Sequence, residues 1–189
     1  NATDGLRLDI TEAILSKLLS KARQIPAEIK ISAHNSLYPI LREEKKVVTH
    51  GQMMGAYLSF PLLCIHSYIA ARWAARGQKA SFLVNGDDTA IASEREIGTY
   101  PDGYELNLLK TIKSKNTIEI NSTVFLRMQN RWKEVHHLRR GAFGNDYASV
   151  IHIGAAIKDK HMQPFQRAYY QRRFHRKWKI FPSLLGHTG

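Results

Sequence analysis

Cysteine is nearly absent. Cys64 is the only one in 189 residues, which excludes an internal disulfide and a cysteine-built zinc cage and fits a reducing, intracellular setting. Long apolar runs are absent as well. No run of about 18 uncharged apolar residues occurs, so no membrane span is expected. The most apolar stretch, Met53 to Ala71, contains Pro61 and His66 and reads as a buried helix with its lead-in. There is no GxxxxGK[ST] phosphate loop, no GxSxG elbow and no HExxH spacing among the nine histidines. His136-His137 has no cysteine or carboxylate ligand near it in sequence. The chain opens at Asn1-Ala2-Thr3-Asp4 without an initiator methionine or a signal-peptide pattern, and is expected to be a fragment.

Acidic residues are scarce. Sixteen Asp and Glu face 28 Lys and Arg, a net charge of +12 with a pI near 9.9. That balance points first to a polyanion, RNA or DNA, and more weakly to a membrane surface. From Arg139 onward the cations Arg139, Arg140, Lys158, Lys160, Arg167, Arg172, Arg173, Arg176, Lys177 and Lys179 meet only Asp146 and Asp159. Tyr169, Tyr170, Phe174 and Trp178 are interleaved with them. Such a surface can neutralise phosphates and stack on bases. The same pattern also describes an amphipathic helix with its aromatics inward and its arginines solvated.

The order of elements reads as α+β. Asp4 is placed to cap a helix from about Gly5 to Arg23, with Leu6, Ile10, Ile14 and Leu18 on one face. The segment Ile29 to Val48 reads as irregular strands and loops. Gly51 to Gly55 bounds a loop feeding a helix that Pro61 can open and that ends before Gly77. Ser81 to Val84 and Thr89 to Ala92 read as strands around Asn85-Gly86, a strong hairpin signal. Thr117 to Arg127 reads as a second hairpin with Asn121-Ser122 at its tip, and two helices are expected near Tyr147 to Lys158 and Pro164 to Arg176.

The stretch Phe82-Leu83-Val84-Asn85-Gly86-Asp87-Asp88-Thr89-Ala90-Ile91 holds the chemistry. With Asn85-Gly86 as the centre of a type I′ turn, Asp87 and Asp88 begin the return strand on opposite faces. Adjacent carboxylates at the tip of a buried hairpin repel each other unless solvent or a cation compensates. They are either a solvated turn or hard oxygen ligands of the kind Mg²⁺ prefers.

A hydrophobic strand, Gly-Asp-Asp and a second strand resemble motif C of viral RNA-dependent RNA polymerases, and the flanking segments match in order. Asn1-Ala2-Thr3-Asp4-Gly5 resembles the end of motif A. Gly51-Gln52-Met53-Met54-Gly55 with Ser59-Phe60-Pro61-Leu62-Leu63-Cys64 resembles motif B, Leu106-Asn107 with Lys110-Thr111 motif D, and Glu119-Ile120-Asn121-Ser122 motif E. Lys177-Trp178-Lys179-Ile180-Phe181-Pro182-Ser183-Leu184-Leu185-Gly186 resembles the thumb segment of ourmia-like viruses, the botourmiavirus group of positive-strand RNA viruses. The likeness covers almost the whole chain.

This resemblance implies a polymerase palm over residues 1–135, an antiparallel sheet with its Gly-Asp-Asp hairpin backed by helices, and the start of a mainly helical thumb over 136–189. It implies RNA-templated nucleotidyl transfer to a 3′-OH with two Mg²⁺ ions, or Mn²⁺ in their place, and ribonucleoside triphosphates as substrates. Asp87 would be the main metal ligand, with Asp88 contributing. Lys110 would protonate departing pyrophosphate, a general-acid role worth about 10²–10⁴-fold. Asp4, Ser59 and Ser67 would contact the incoming nucleotide. Ser67, beside His66, stands where the family often has an asparagine, a departure that weakens the assignment of ribose selection to this pair. Gly51, Gln52, Gly55, Asn121, Ser122, Arg139, Arg140, Arg172 and Arg173 would contact template and nascent RNA. The resemblance further implies the host cytoplasm as the site of action. The family's first motif A aspartate would precede Asp4 by a few residues, upstream of Asn1, so the chain alone is expected to be inactive. Two rivals stand beside this reading: a reverse transcriptase, which shares the paired-aspartate hairpin, and a non-catalytic, basic RNA-binding remnant of a palm.

Overall fold

The computed structural model describes residues 6–38, 40–41, 46–47, 57–144 and 146–178, with side chains over 6–38, 57–144 and 146–173. The protein is α+β and divides into two compact units, Asn1–Asn107 and Leu108–Gly189. The palm–thumb boundary expected at 135/136 falls within the second unit.

In the first unit, α1 spans Leu8–Lys21. It starts later than Asp4 would place it. The N-cap is Arg7, whose carbonyl accepts the Thr11 N–H at 3.1 Å and the Thr11 hydroxyl at 3.2 Å. The Arg7 guanidinium pairs with Asp9, in the first turn, at 2.6 Å, and an acid there also favours the helix N-terminus. The buried face carries Leu8, Thr11 and Leu15, while Leu18 is half exposed. The inward stripe therefore differs from the expected one because Thr11, a polar residue, is drawn in by a partner on another helix.

Pro26 stands at the N-cap of α2, Ala27–Asn35, where an irregular segment was expected. The sequence misleads here because α2 buries no residue and leaves Ile29 and Ile31 exposed, so no apolar periodicity marks it. Two short strands, β1 (Ile40–Leu41) and β2 (Lys46–Val47), pair antiparallel.

Helix α3, Ser59–Ala74, holds Pro61 in its first turn, where a missing N–H costs no hydrogen bond. Its buried stripe is Leu62, Leu63, His66, Ala70, Ala71 and Ala74, spaced by three or four residues as a helix face requires. Leu62 packs with Leu15 and Leu37 in the core that joins α1 to α3. His66 is the polar pin of that junction. It is 1% exposed, with Nε2 2.8 Å from the Thr11 hydroxyl and Nδ1 2.9 Å from the Tyr104 hydroxyl. Because Thr11 spends its proton on the Arg7 carbonyl, the consistent tautomer has His66 Nε2–H donating to Thr11 and Nδ1 accepting from Tyr104. Burial holds the imidazole pKa below its ordinary value, as expected for a neutral ring in a dry site.

After Gly77, at φ +79, strands β3 (Ala80–Asn85) and β4 (Asp88–Ser93) form an antiparallel hairpin with Phe82 opposite Ile91 and Val84 opposite Thr89. The chain then returns to α3, where the Gly98 N–H caps the Ala74 carbonyl at 2.8 Å.

The second unit opens with a three-stranded meander, β5 (Thr117–Ile120), β6 (Thr123–Met128) and β7 (Arg131–Val135). Asn121 and Ser122 lie at φ 51 and 58, and Gln129 and Asn130 at φ 50 and 60. Each pair forms a two-residue loop between paired strands, the left-handed pattern of a type I′ turn. The first turn was legible and the second, with strand β7, was not. A 3₁₀ turn over Arg140–Phe143 leads to α4, Tyr147–Lys158, and then α5, Pro164–Trp178. Leu138, Ile153, Ala156, Ile157 and Met162 form the core, with Phe143 and Tyr170 against it. Burying an isoleucine such as Ile153 or Ile157, both 0% exposed, stabilises by about 1.5–3 kcal/mol.

Two glutamines tie α5 to the end of β7. The Gln166 amide accepts the His136 N–H at 3.3 Å and donates to the His136 carbonyl at 3.0 Å, while Gln163 donates to the Glu134 carbonyl at 2.9 Å. Arg167 donates to the Ile157 and Asp159 carbonyls at 2.9 and 3.3 Å, closing the C-terminus of α4. Among the described residues no helix is long and apolar enough to cross a membrane.

Candidate active-site hairpin

The turn between β3 and β4 differs from the expected one by a residue. Asn85 pairs with Asp88, so Gly86-Asp87 is the two-residue loop. Of these four residues only Gly86 has positive φ, at +64. That is the pattern of a type II′ turn, which needs glycine at its first central position. Asn85 therefore belongs to the strand, Asp87 occupies the turn itself and Asp88 opens β4. Both aspartates are exposed. Their separation onto opposite strand faces, expected from an Asn85-Gly86 centre, does not apply, because Asp87 is not in a strand.

What selects this register is the helix behind the turn. Gly86 is buried against α3, and a Cβ built on it would lie 3.3 Å from Phe60 Cε2 and 3.7 Å from Leu63 Cδ2. The Gly86 N–H donates to Cys64 Sγ at 3.2 Å, and its carbonyl accepts the Ser67 hydroxyl at 2.6 Å. Cys64 and Ser67, three residues apart, share one helix face. Both backbone polar groups of the glycine are thus satisfied by one helix, and two hydrogen bonds hold the turn carrying the aspartates. Cys64 had no expected role beyond the exclusion of disulfides. Its contact with Gly86 joins residues 22 apart, a pairing that no local pattern announces.

Among the residues expected at the site, the structure brings Ser67, Gly86, Asp87 and Asp88 together in the first unit. Ser67 spends its hydroxyl proton on Gly86, so it acts on the turn. Ser59 is in the first turn of α3 and buried, 7% exposed. Asp4, Gly51, Gln52 and Gly55 lie outside the described residues, as does the segment 179–186.

The remaining expected residues belong to the second unit. Lys110 is exposed ahead of β5. Asn121 and Ser122 form the β5–β6 turn. Arg139, Arg140 and Arg172 are exposed, and Arg173 lies over the Tyr169 ring, 5.8 Å from its centroid, while donating to the Tyr169 hydroxyl. Arg167 is withdrawn from the basic surface by its place on the α4 carbonyls.

Comparison with known proteins is silent. No family model, curated protein or solved structure matches this chain.

Adjacent carboxylates on an exposed, immobilised turn are the right donor type for a hard divalent cation. Among the described residues no cluster of three or more His, Cys, Asp or Glu is placed to hold a metal. Asp87 and Asp88 would therefore supply part of a shell, completed by phosphate oxygens or a further carboxylate.

Proposed function

We propose that the chain is the palm, with the start of the thumb, of a viral RNA-dependent RNA polymerase, catalysing template-directed nucleotidyl transfer to an RNA 3′-OH. The observation that carries this reading is the Gly86-Asp87-Asp88 turn, exposed at its carboxylates and anchored through Gly86 to α3. It is supported by the order of the segments around it, which follows that of the polymerase motifs. A basic surface suits the RNA the reaction requires.

In this reading Asp87 and Asp88 would supply oxygen ligands to Mg²⁺, or to Mn²⁺ in its place. Bound there, the ions would lower the pKa of the attacking hydroxyl and offset charge on the phosphates. The chain's own contribution is positional. Cys64 and Ser67 fix the turn, so the carboxylates keep their place while substrates exchange, and the catalytic geometry is pre-organised. Lys110 acts as the proton donor to the leaving pyrophosphate. Asn121, Ser122 and the arginines of the second unit contact the RNA backbone.

The test is template-dependent incorporation of a labelled ribonucleotide by the complete protein carrying Asp87→Asn, which removes the charge and keeps the shape. Incorporation is expected to vanish while RNA affinity stays near that of the parent. Synthesis that survives the substitution would sink the metal-ligand role. A parent protein that binds RNA but never incorporates nucleotide would favour the non-catalytic remnant.

A further inference from the structure

The hairpin has a second end. Six residue steps of about 3.4 Å each put the Ala80–Ser93 end about 20 Å from the Gly86 turn. There the C-terminal half of α3 and the start of β3 bound an open cleft of about 890 Å³. Arg72, Arg76 and Lys79 line it, with Tyr68 and Phe82 on its wall and Glu94 as the one acid. Among the described residues none of the three cations has a carboxylate partner.

The two arginines lie against aromatic rings instead. The Arg72 guanidinium lies 5.9 Å from the Tyr68 ring centroid and donates to its hydroxyl at 3.3 Å. Arg76 sits 4.6 Å from the Trp73 centroid and donates to the Trp73 carbonyl at 2.9 Å. Arg72 stands in the last turn of α3 and Arg76 just beyond its C-cap, Ala75, where cations suit the negative end of the helix dipole. Tyr68 and Phe82 meet edge to face at 5.6 Å, which leaves Tyr68 41% exposed.

We propose that this cleft binds single-stranded RNA, with Arg72 and Arg76 on its phosphates and the Tyr68 ring under an unpaired base. Arg72 in the last turn of α3 and Arg76 just past the helix end both line the cleft, so one strand passing along it meets two cations. Arginines oriented beforehand by ring faces lose little freedom on meeting a phosphate. An exposed aromatic beside them stacks on any unpaired base, and a duplex offers it none. The cleft is open, as a passing strand requires. The proposal uses none of the turn's carboxylates and does not rest on the polymerase reading.

Fluorescence anisotropy with a short, labelled, mixed-sequence single-stranded RNA, titrated across salt concentration, tests it on the whole protein. Arg72→Gln/Arg76→Gln should lower the slope of log affinity against log salt by about 1.4, since each single-strand phosphate that is no longer neutralised removes about 0.7. Tyr68→Leu should weaken binding by about 5- to 100-fold, and Tyr68→Phe should restore it. Asp87→Asn should leave all of this unchanged, which separates the cleft from the turn. An unaltered slope in the double variant overturns the proposal. So does equal affinity for a fully paired RNA, or displacement of the RNA by polyglutamate as readily as by unlabelled RNA, which would make the cleft a docking place for acidic peptide.

Discussion

Replacing Gly86 with alanine tests the account of the turn quantitatively. At φ +64 an L-residue carries a steric cost of roughly 1–2 kcal/mol. The new methyl also meets Phe60 Cε2 at 3.3 Å. Phe60 is 56% exposed and can swing outward, so this contact adds only about a few tenths of a kcal/mol. The sum, about 1–2 kcal/mol, lowers the folded-to-unfolded ratio by a factor of about 5–30. Urea unfolding of the parent and of Gly86→Ala should resolve it as a shift in midpoint at constant slope. Two further variants divide the effect. In a Phe60→Ala background the contact disappears and the backbone cost remains, so most of the loss should persist. Asn85→Ala should cost no more than about 0.5 kcal/mol, since Asn85 is a strand residue and not a turn centre. A loss for Gly86→Ala below about 0.5 kcal/mol, its full recovery without Phe60, or an Asn85→Ala cost equal to that of Gly86→Ala would each refute the II′ register.

Two other outcomes follow from the packing. His66 has a folded pKa below its ordinary value, so its contribution is complete above the unfolded pKa of about 6.5 and is lost as pH falls from there toward the folded value. Unfolding free energies should therefore decline across that window more steeply in the parent than in His66→Leu, and parallel slopes would remove His66 as the titrating pin. In the second unit the Asp146 carboxylate accepts from the Ser149 N–H at 3.2 Å and hydroxyl at 2.6 Å, capping α4. A Cβ on Gly144 would overlap both Asp146 Oδ1 and the Ser149 hydroxyl, the two side chains of the cap. Gly144→Ala should lower the thermal midpoint in the parent and change it far less in an Asp146→Ala/Ser149→Ala background. Equal losses in both backgrounds would show that the glycine serves something other than the cap.

Local signals are legible where residues declare their own geometry. Asp146 before α4 and Pro164 opening α5 mark helix starts in plain type, and the bounds of α4 agree with those expected. Asn121-Ser122 sits at a turn because asparagine tolerates left-handed backbone. Gln129-Asn130 does the same with a residue that rarely advertises it, and so β7 is hidden in the sequence. Asn85-Gly86 misleads through its strength: Gly86-Asp87 is also a legal hairpin loop, and the choice lies with Phe60, Cys64 and Ser67 on a distant helix. Helix α2 escapes notice because it buries no residue fully, and periodicity reports burial before it reports helix. At the site, the two aspartates beside a hairpin turn are legible, whereas their exposure, the clamp behind them and the arginine-lined cleft require α3 and the hairpin to be brought together.

The glutamines at the end of β7 bear on the protein's solubility. A strand at the margin of a sheet is an invitation to a neighbour's strand, because its outward amides and carbonyls seek partners. The Glu134 carbonyl and both backbone groups of His136 are already answered by Gln163 and Gln166, whose side-chain amides imitate the peptide of a missing strand. At those two residues, adding a strand means first prising α5 away. The sheet is protected there by a counterfeit neighbour.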